Sequence, residues 1–467
     1  MPINPEKVDE LRAAIDAAPE YQPDQADDAT NDGAPVLDPR DPLPSARELI
    51  AARFTSEGRR TIHHHRDQWL TWRGSHYAHL PDAELRAAAY AFTEGALSVV
   101  TKKDETTAIV PFKPTRSKID NIADALRAQA VLPADTEPPT YLTHHAGDPD
   151  PAELVAMKNG LFHLPSGRLL PHTPRLLNRH ALPFDYDPDA GEPTVWLQFL
   201  NSLWPDDPEA IRALQQWFGY VLTTDTRQEK IMLVVGPKRS GKGTIARTLK
   251  ALVGSENVAG PTLASLSQNF GLAPLIGKPL ATIGDARLSG RTDQAVIAER
   301  LLSISGEDSI TIDQKHKTAW TGTLPTRFMI ITNELPRLAD ASGALASRFI
   351  VLTLTRSFYG CEDHDLTDKL MRELPAIFAW AVEGWRDLQR TGRLLTPASS
   401  DDAIAELEDL GSPIGAFVRD RCIVEPGRGI DTKRLYDAWK AWCEDEGRQH
   451  PGTAQTFARD LHAAEPG

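Results

Sequence analysis

The sequence predicts an α/β chain built around a parallel sheet, on three observations. IMLVV at 231–235 is a continuous apolar run of strand length, followed at once by the glycine loop GPKRSGKGT and the helical IARTLKALVG. Two further apolar strands end in a polar side chain, PLATIGD at Asp285 and RFMIITN at Asn333. A last strand, FIVLTLT, follows Arg348 directly.

Length and composition fit that class. At 467 residues and 51.4 kDa the chain is long enough for roughly two to four domains. With 41% hydrophobic and 25% charged residues it resembles an average globular protein, which excludes wholly disordered, collagenous and fibrous classes. No apolar run reaches about 18 residues and no basic segment followed by an apolar one opens the chain. A membrane partner and a secretory signal are therefore not expected, and the expected compartment is the cytoplasm. Cys361, Cys422 and Cys443 lack CxxC spacing, so neither a disulfide framework nor a zinc ribbon is available. The net charge of -14 does not exclude DNA. Residues 1–42 hold 11 acidic and 3 basic residues, a net of -8, which leaves only -6 on the rest, and phosphate responds to local Lys and Arg placement.

Taken in order, residues 1–44 read as an acidic, Pro- and Asp-rich disordered tail that cannot repay the entropy of ordering. Residues 45–193 read as a helical and then β-rich region. In it, Leu85, Ala89 and Phe92 fall at helix spacing, and 155–188 shows short apolar strands broken by Gly and Pro. His63, His64 and His65 invite a metal reading, but adjacent side chains point in different directions and do not converge on one ion. Asp185 and Asp187 could pair as a catalytic dyad; lying before Pro188 and Asp189, they read better as turn residues. Residues 194–395 hold the sheet, introduced by helices with Trp196, Phe199, Leu200 and Leu203 on one face.

The loop carries the chemistry. Glycines let backbone N–H groups curl around phosphate oxygens, the helix N-terminus adds partial positive charge, and Lys242 reaches the β and γ phosphates. Gly236, Pro237, Lys238, Arg239, Ser240, Gly241, Lys242, Gly243 and Thr244 are the expected nucleotide-binding residues. Gly243 stands where Ser or Thr usually supplies a hydroxyl to Mg²⁺, and Thr244 comes one place late, so its hydroxyl is expected nearer the α phosphate. The metal is then left to waters, phosphates and a carboxylate from elsewhere. Asp285, at a strand end, is the expected Mg²⁺ carboxylate. The same GKGT ending occurs in nucleoside monophosphate kinases, which are compact enzymes with the loop near their N-terminus. Here more than 230 residues precede it.

In their order and spacing these elements resemble the superfamily 3 helicases, an AAA+-like group of P-loop ATPases. The likeness is to the helicase half of phage and plasmid primase-helicases, related to the poxvirus primase-helicase and the papillomavirus replicative helicase. It covers roughly residues 45–464. GPKRSGKGT looks like the family's Walker A, PLATIGD its Walker B and IITNELP its motif C, in which Asn333 would sense the γ phosphate and orient water. Arg348 in ASRF matches the arginine finger, which in that family serves the neighbouring subunit's ATP and implies a ring, usually a hexamer. Between motifs B and C, SITID and TAWTG read as two strands around QKHK. Lys315, His316 and Lys317 would stand at a hairpin tip and contact single-stranded DNA, as a similar Lys-His pair does in the viral relatives. Many relatives carry two adjacent acids at the end of motif B. This chain has Gly284, Asp285, Ala286 and Arg287, which leaves Asp285 through a water, Glu334 or Glu307 to activate water.

Residues 396–467 read as three helices with Leu435, Trp439 and Trp442 on one buried face and Phe457 and Leu461 repeating the pattern. They resemble that family's winged-helix domain, with Gly467 falling where wing strands would follow. The space before residue 45 is too short for a polymerising primase domain, so strand separation is favoured over primer synthesis. The resemblance thus implies an ATP- and Mg²⁺-dependent DNA helicase of phage, prophage or plasmid replication in a bacterial host cytoplasm. Its partners would be single-stranded DNA, further copies of itself, replication origin DNA and a separate primase. An ATP-switched DNA-binding initiator or regulatory ATPase without unwinding, and a nucleotide kinase, are the alternatives.

Overall fold

The computed structural model describes residues 34–101, 106–286, 293–315, 317–340, 343–425, 427–447 and 451–464. Two units are distinguished. The first comprises the chain up to Thr55, Ile62–Trp69 and Leu80–Val131. Its helices are α1 (Pro42–Arg53), α2 (Asp82–Glu94) and α3 (Arg116–Ala130), the last begun by the Thr115 hydroxyl, which accepts from Lys118 N. Between α2 and α3, β1 (Leu97–Thr101) and β2 (Thr107–Pro111) pair antiparallel. Leu85 and Ala89 are buried and Phe92 packs beside them, as their spacing predicts, against Leu49, Ile119, Ile122 and Leu126.

Order begins earlier than the composition of the acidic segment predicts. Val36 bridges Leu97, Leu37 is 2% exposed, and the Ser98 hydroxyl donates to Leu37 O at 2.6 Å. The edge of β1 gives this segment backbone partners that a count of apolar residues does not register. His63, His64 and His65 lie in a strand whose four residues are all buried. His64 packs edge-on to Trp69 at 4.9 Å, and among the described residues no three His, Cys, Asp or Glu side chains could hold an ion together.

The second unit comprises Ser56–Thr61, Leu70–His79 and Leu132–Gly467. It contains the antiparallel β3 (Leu154–Ala156), β4 (Leu161–His163) and β5 (Arg168–Leu170), with β4 central. Asp185 and Asp187 are exposed, and Asp187 Oδ1 accepts from Asp189 N at 2.9 Å, the turn that their sequence predicts. In α4 (Thr194–Leu203) the buried residues are Trp196, Phe199, Leu200 and Leu203, the predicted face. Asp207 then caps α5 (Pro208–Val221).

The parallel sheet follows: β6 (Ile231–Val235), α6 (Lys242–Val253), β7 (Val258–Ala259), β8 (Leu280–Gly284), α7 (Gln294–Ser305), a hairpin of β9 (Ile310–Ile312) and β10 (Trp320–Gly322), β11 (Arg327–Thr332), α8 (Ala344–Arg348) and β12 (Phe349–Thr353). The strand order is β7-β8-β11-β6-β12, every pair parallel. β6 is inner and covered on both faces, which is why it reads as an unbroken apolar run. Met232 and Val234 join one core with Met329, Ile350 and Leu352, while Ile231, Leu233 and Val235 join the other with Phe328, Ile330 and Val351. At the start of β11, the 3%-exposed Arg327 donates to Val221 O at 2.9 Å and to the Thr223 carbonyl, over the Tyr220 ring. Burial pulls its pKa down to about 10.

Beyond the sheet come α9 (Leu366–Arg372) and α10 (Leu374–Thr391), the latter laid against α5. Two glycines set how close that pair sits. A Cβ on Gly219 would stand 2.3 Å from Ala381 O, and one on Gly384 2.1 Å from Gln215 O. Gly384→Ala should therefore lower stability by about 1–3 kcal/mol, the usual cost of overpacking. Urea unfolding measures it, and an unchanged midpoint would show that the helices separate freely. The chain continues through α11 (Asp401–Gly411), α12 (Pro413–Arg421), α13 (Thr432–Asp445) and α14 (Ala454–Ala464). Phe417, Trp439, Trp442 and Phe457 form the core of the last three, with both tryptophans at 5% exposure or less. They are packing residues, as their spacing predicts. Among the described residues no helix is long and apolar enough to cross a membrane.

Candidate functional site

In an all-parallel sheet the loops after the strands gather at one edge, where the C-terminal strand ends open onto a crevice. The loop from Gly236 to Gly241 leaves β6 at that edge. Gly236 is required by close approach, since a Cβ would lie 2.5 Å from Leu354 O. Gly241 has φ 94°, a left-handed conformation that favours glycine. The Lys242 side chain, 9% exposed, curls back into the loop and donates to Gly236 O at 2.6 Å, Pro237 O at 2.7 Å and Ser240 Oγ at 3.2 Å. Its fourth acceptor is Asn333 Oδ1 at 3.2 Å. The ends of β6 and β11, far apart in sequence, thus meet through one ammonium. Burial lowers its pKa from the ordinary lysine value.

Asp285 stands at the end of β8 with φ 63°, and its N–H donates to Ile331 O at 2.9 Å. With residues 238–244 and Asn333 it lines one cleft of about 1000 Å³. Thr244 Oγ1 accepts from Arg247 at 3.1 Å.

Several cleft residues were not singled out by the sequence. The segment after β12 returns over the loop, with Ser357 Oγ donating to Lys238 O at 2.8 Å and Phe358 N to Arg239 O at 2.9 Å. It brings Glu362 to 3.5 Å from Arg239, and Asp363 to 2.8 Å from Lys369. The Lys369 ammonium holds the Asp363 carboxyl below the usual carboxylate range. The acid-dense run CEDHDLTD was the available signal.

A donor set of one ammonium, loop N–H groups and Arg247 suits a polyphosphate, and Asp285, which lines the same cleft at a strand end, is a carboxylate of the kind that would hold a Mg²⁺ ion. Among the described residues no cluster of three ligating side chains exists. Such an ion would complete its shell with phosphate oxygens and water.

The remaining expected residues are elsewhere. Arg348 precedes β12, at the opposite edge of the sheet, and pairs with Glu229. With Phe349 beside Ile231 and Thr353 beside Val235, five residues separate it from the loop edge, roughly 16 Å of strand. Glu307 is also at that far edge, where it accepts from the Thr226 hydroxyl. It does not line its own chain's cleft, because strand direction rather than sequence distance fixes which edge a residue joins. Glu334 is exposed and outside the cleft lining. The hairpin is formed as expected, Ile310 opposite Gly322 and Ile312 opposite Trp320, with Lys315 and Lys317 exposed in its connection. His316 lies outside the described residues.

Residues 48–205 match a protein family described as D5 N terminal like, and residues 234–348 match a family of unknown function, DUF5906. The second match holds the loop, Asp285, Asn333 and Arg348. Among solved structures, an A-form apo structure of the NrS-1 C-terminal region is similar at a TM-score of 0.50 and 14% identity, over 91% of this chain and 86% of that one. A further apo structure of the same region gives a TM-score of 0.48 at 14% identity, covering 91% of this chain and 87% of that one. At that identity the likeness is one of fold, and it extends over nine-tenths of the chain.

Proposed function

We propose that the chain is an ATP-hydrolysing DNA helicase of the superfamily 3 type, assembling as a ring, with six subunits as the expected number, and translocating on single-stranded DNA during replication of a phage, prophage or plasmid. One observation carries the reading. Lys242, Asn333 and Asp285 converge on a cleft at one edge of the sheet, while Arg348 stands a strand length away at the other. A lone chain cannot bring that arginine to its own cleft, but a head-to-tail neighbour presents one edge to the other, and such heterologous contacts close into rings.

In this reading the loop holds the triphosphate and Lys242 offsets charge on its β and γ oxygens. Asn333, already hydrogen-bonded to Lys242, orients the attacking water. Arg348 of the adjacent subunit enters the same cleft and stabilises the transferring phosphoryl group. Asp285 would hold Mg²⁺, and the bound ion would supply neutralisation of triphosphate charge. Glu362 and Asp363 join Asp285 as candidates for accepting the water proton, directly or through a second water.

ATP hydrolysis with and without single-stranded DNA, joined to unwinding of a forked duplex, tests the whole proposal. Stimulated hydrolysis with unwinding is the expected outcome. Hydrolysis without unwinding favours the ATP-switched initiator, and phosphate transfer to a nucleotide with no response to DNA favours the kinase. The hairpin adds a sharper prediction. Lys315→Ala combined with Lys317→Ala should leave DNA-free hydrolysis unchanged and lower DNA stimulation at least about tenfold, because two phosphates are then left without a cation. Undiminished stimulation would remove the hairpin from the DNA path.

A further inference from the structure

We propose that the second unit carries another single-stranded DNA contact besides the hairpin: a basic and aromatic patch of Trp72, Arg73, His76, His172, Arg179 and Lys278 that holds the phosphodiester backbone. It rests on the single-stranded ligand of the proposed function but not on hydrolysis.

The patch is assembled from three stretches of sequence. Trp72 ends the strand Gln68–Trp72, and Arg73 N donates to His76 O at 2.9 Å, which folds 73–76 into a turn beside it. Trp72 is half-buried, its ring 5.2 Å from the Tyr77 ring and 6.4 Å from His172, and Arg73 next to it is exposed. Tyr77 Oη donates to Pro174 O at 2.7 Å, tying this turn to the 172–180 segment. His180 is hydrogen-bonded to Gly277 O at 2.7 Å, which brings in Lys278.

Basic groups outnumber acidic ones here. His76 is held below its ordinary pKa first by burial and then by Arg179, Arg73 and His172, with Glu256 as the opposing charge. Arg179 is pulled down by burial, and its Nε is buried with no hydrogen-bond partner among the described residues. A guanidinium in that setting is costly unless an anion arrives to meet it. Phosphate oxygens beside an aromatic face are the ligand that this combination fits.

Location agrees. Thr326 Oγ1 donates to Lys278 O at 2.7 Å and Arg327 N to Pro279 O at 3.0 Å. The patch therefore borders the same edge of the sheet as the segment that leads out of the hairpin at Gly322 and into β11. A strand gripped by Lys315 and Lys317 has a second basic surface at that edge.

The test is binding of a fluorescein-labelled oligothymidylate by the full chain, followed by anisotropy at several salt concentrations. Arg73→Glu with Lys278→Glu should weaken binding at least about tenfold and flatten the slope of log K against log salt by roughly 1.4, or about 0.7 for each phosphate no longer neutralised. DNA-free ATP hydrolysis should stay at the wild-type rate. Glu256→Gln should tighten binding by about twofold, a gain that no folding defect produces. If the double variant melts early, Arg73→Glu alone should still flatten the slope by about 0.7. Unchanged affinity and slope in a well-folded double variant overturn the patch. Weakened binding in the patch variant with none in the hairpin variant keeps the patch and removes the hairpin; the reverse removes the patch. A chain that binds no oligothymidylate at all ends both.

Discussion

Lys242→Ala is expected to lower ATP hydrolysis at least about 100- to 1000-fold while leaving the fold in place, the loss usual for removing one preorganised charge from a developing oxyanion. The loop already shows how that charge is held. Four oxygens within 3.2 Å surround the ammonium, three from the loop and one from Asn333, so it is fixed before a phosphate arrives. The same arrangement limits the damage to stability. Truncation strips Gly236 O and Pro237 O of a donor, at a cost of about 1–3 kcal/mol if no water replaces it, but also removes a buried charge. Circular dichroism should therefore report native helix content and the melting temperature should fall by only a few degrees. Lys242→Arg should not restore turnover, since a planar guanidinium cannot occupy a pocket shaped to a compact ammonium. Near-normal hydrolysis in the alanine variant would remove the loop from the chemistry.

Arg348→Ala is the second large effect. In the assembled protein it should lower turnover by about 10³- to 10⁵-fold, the range for an arginine completing a phosphoryl-transfer site, with nucleotide affinity nearly unchanged. The split follows from position. The arginine lies at the far edge of the sheet from its own loop, so binding to one chain does not need it. Loss of the Glu229 pair is a minor consequence, because the two side chains are 26% and 42% exposed and such pairs contribute about 1 kcal/mol or less. A fluorescent nucleotide titration beside a phosphate-release assay separates the effects. A large loss of affinity with preserved turnover of bound nucleotide would contradict the assignment.

Much of this was legible in the sequence because it depends on local pattern. The unbroken apolar run of β6 records burial on both faces, the four-residue stripe of α4 records its packing face, and SITID with TAWTG records a hairpin. Asn333 was legible as a polar residue closing an apolar strand. What escaped depends on how distant segments return. Glu362 and Asp363 reach the cleft only because the segment after β12 folds back over Lys238 and Arg239. Glu307 was one candidate for the water-activating carboxylate, yet the direction of the strands puts it at the edge away from its own chain's cleft. Leu37 is buried in a stretch whose composition reads as a tail, through one pairing with β1. The close approach of Gly219 and Gly384 to the opposing backbone needed both helices in space.

In the proposed mechanism one cleft is finished by a neighbour's arginine. Lys242→Ala and Arg348→Ala proteins, each inactive alone, should regain hydrolysis when mixed and allowed to assemble together, since intact loops then face intact arginines at about a quarter of the interfaces in an even mixture. Native mass spectrometry establishes that mixed rings have formed, and phosphate release reads the outcome. Recovery that rises and falls with mixing ratio is the predicted result; mixed rings that stay inactive at every ratio, or an Arg348→Ala protein that hydrolyses ATP at the wild-type rate, would contradict it.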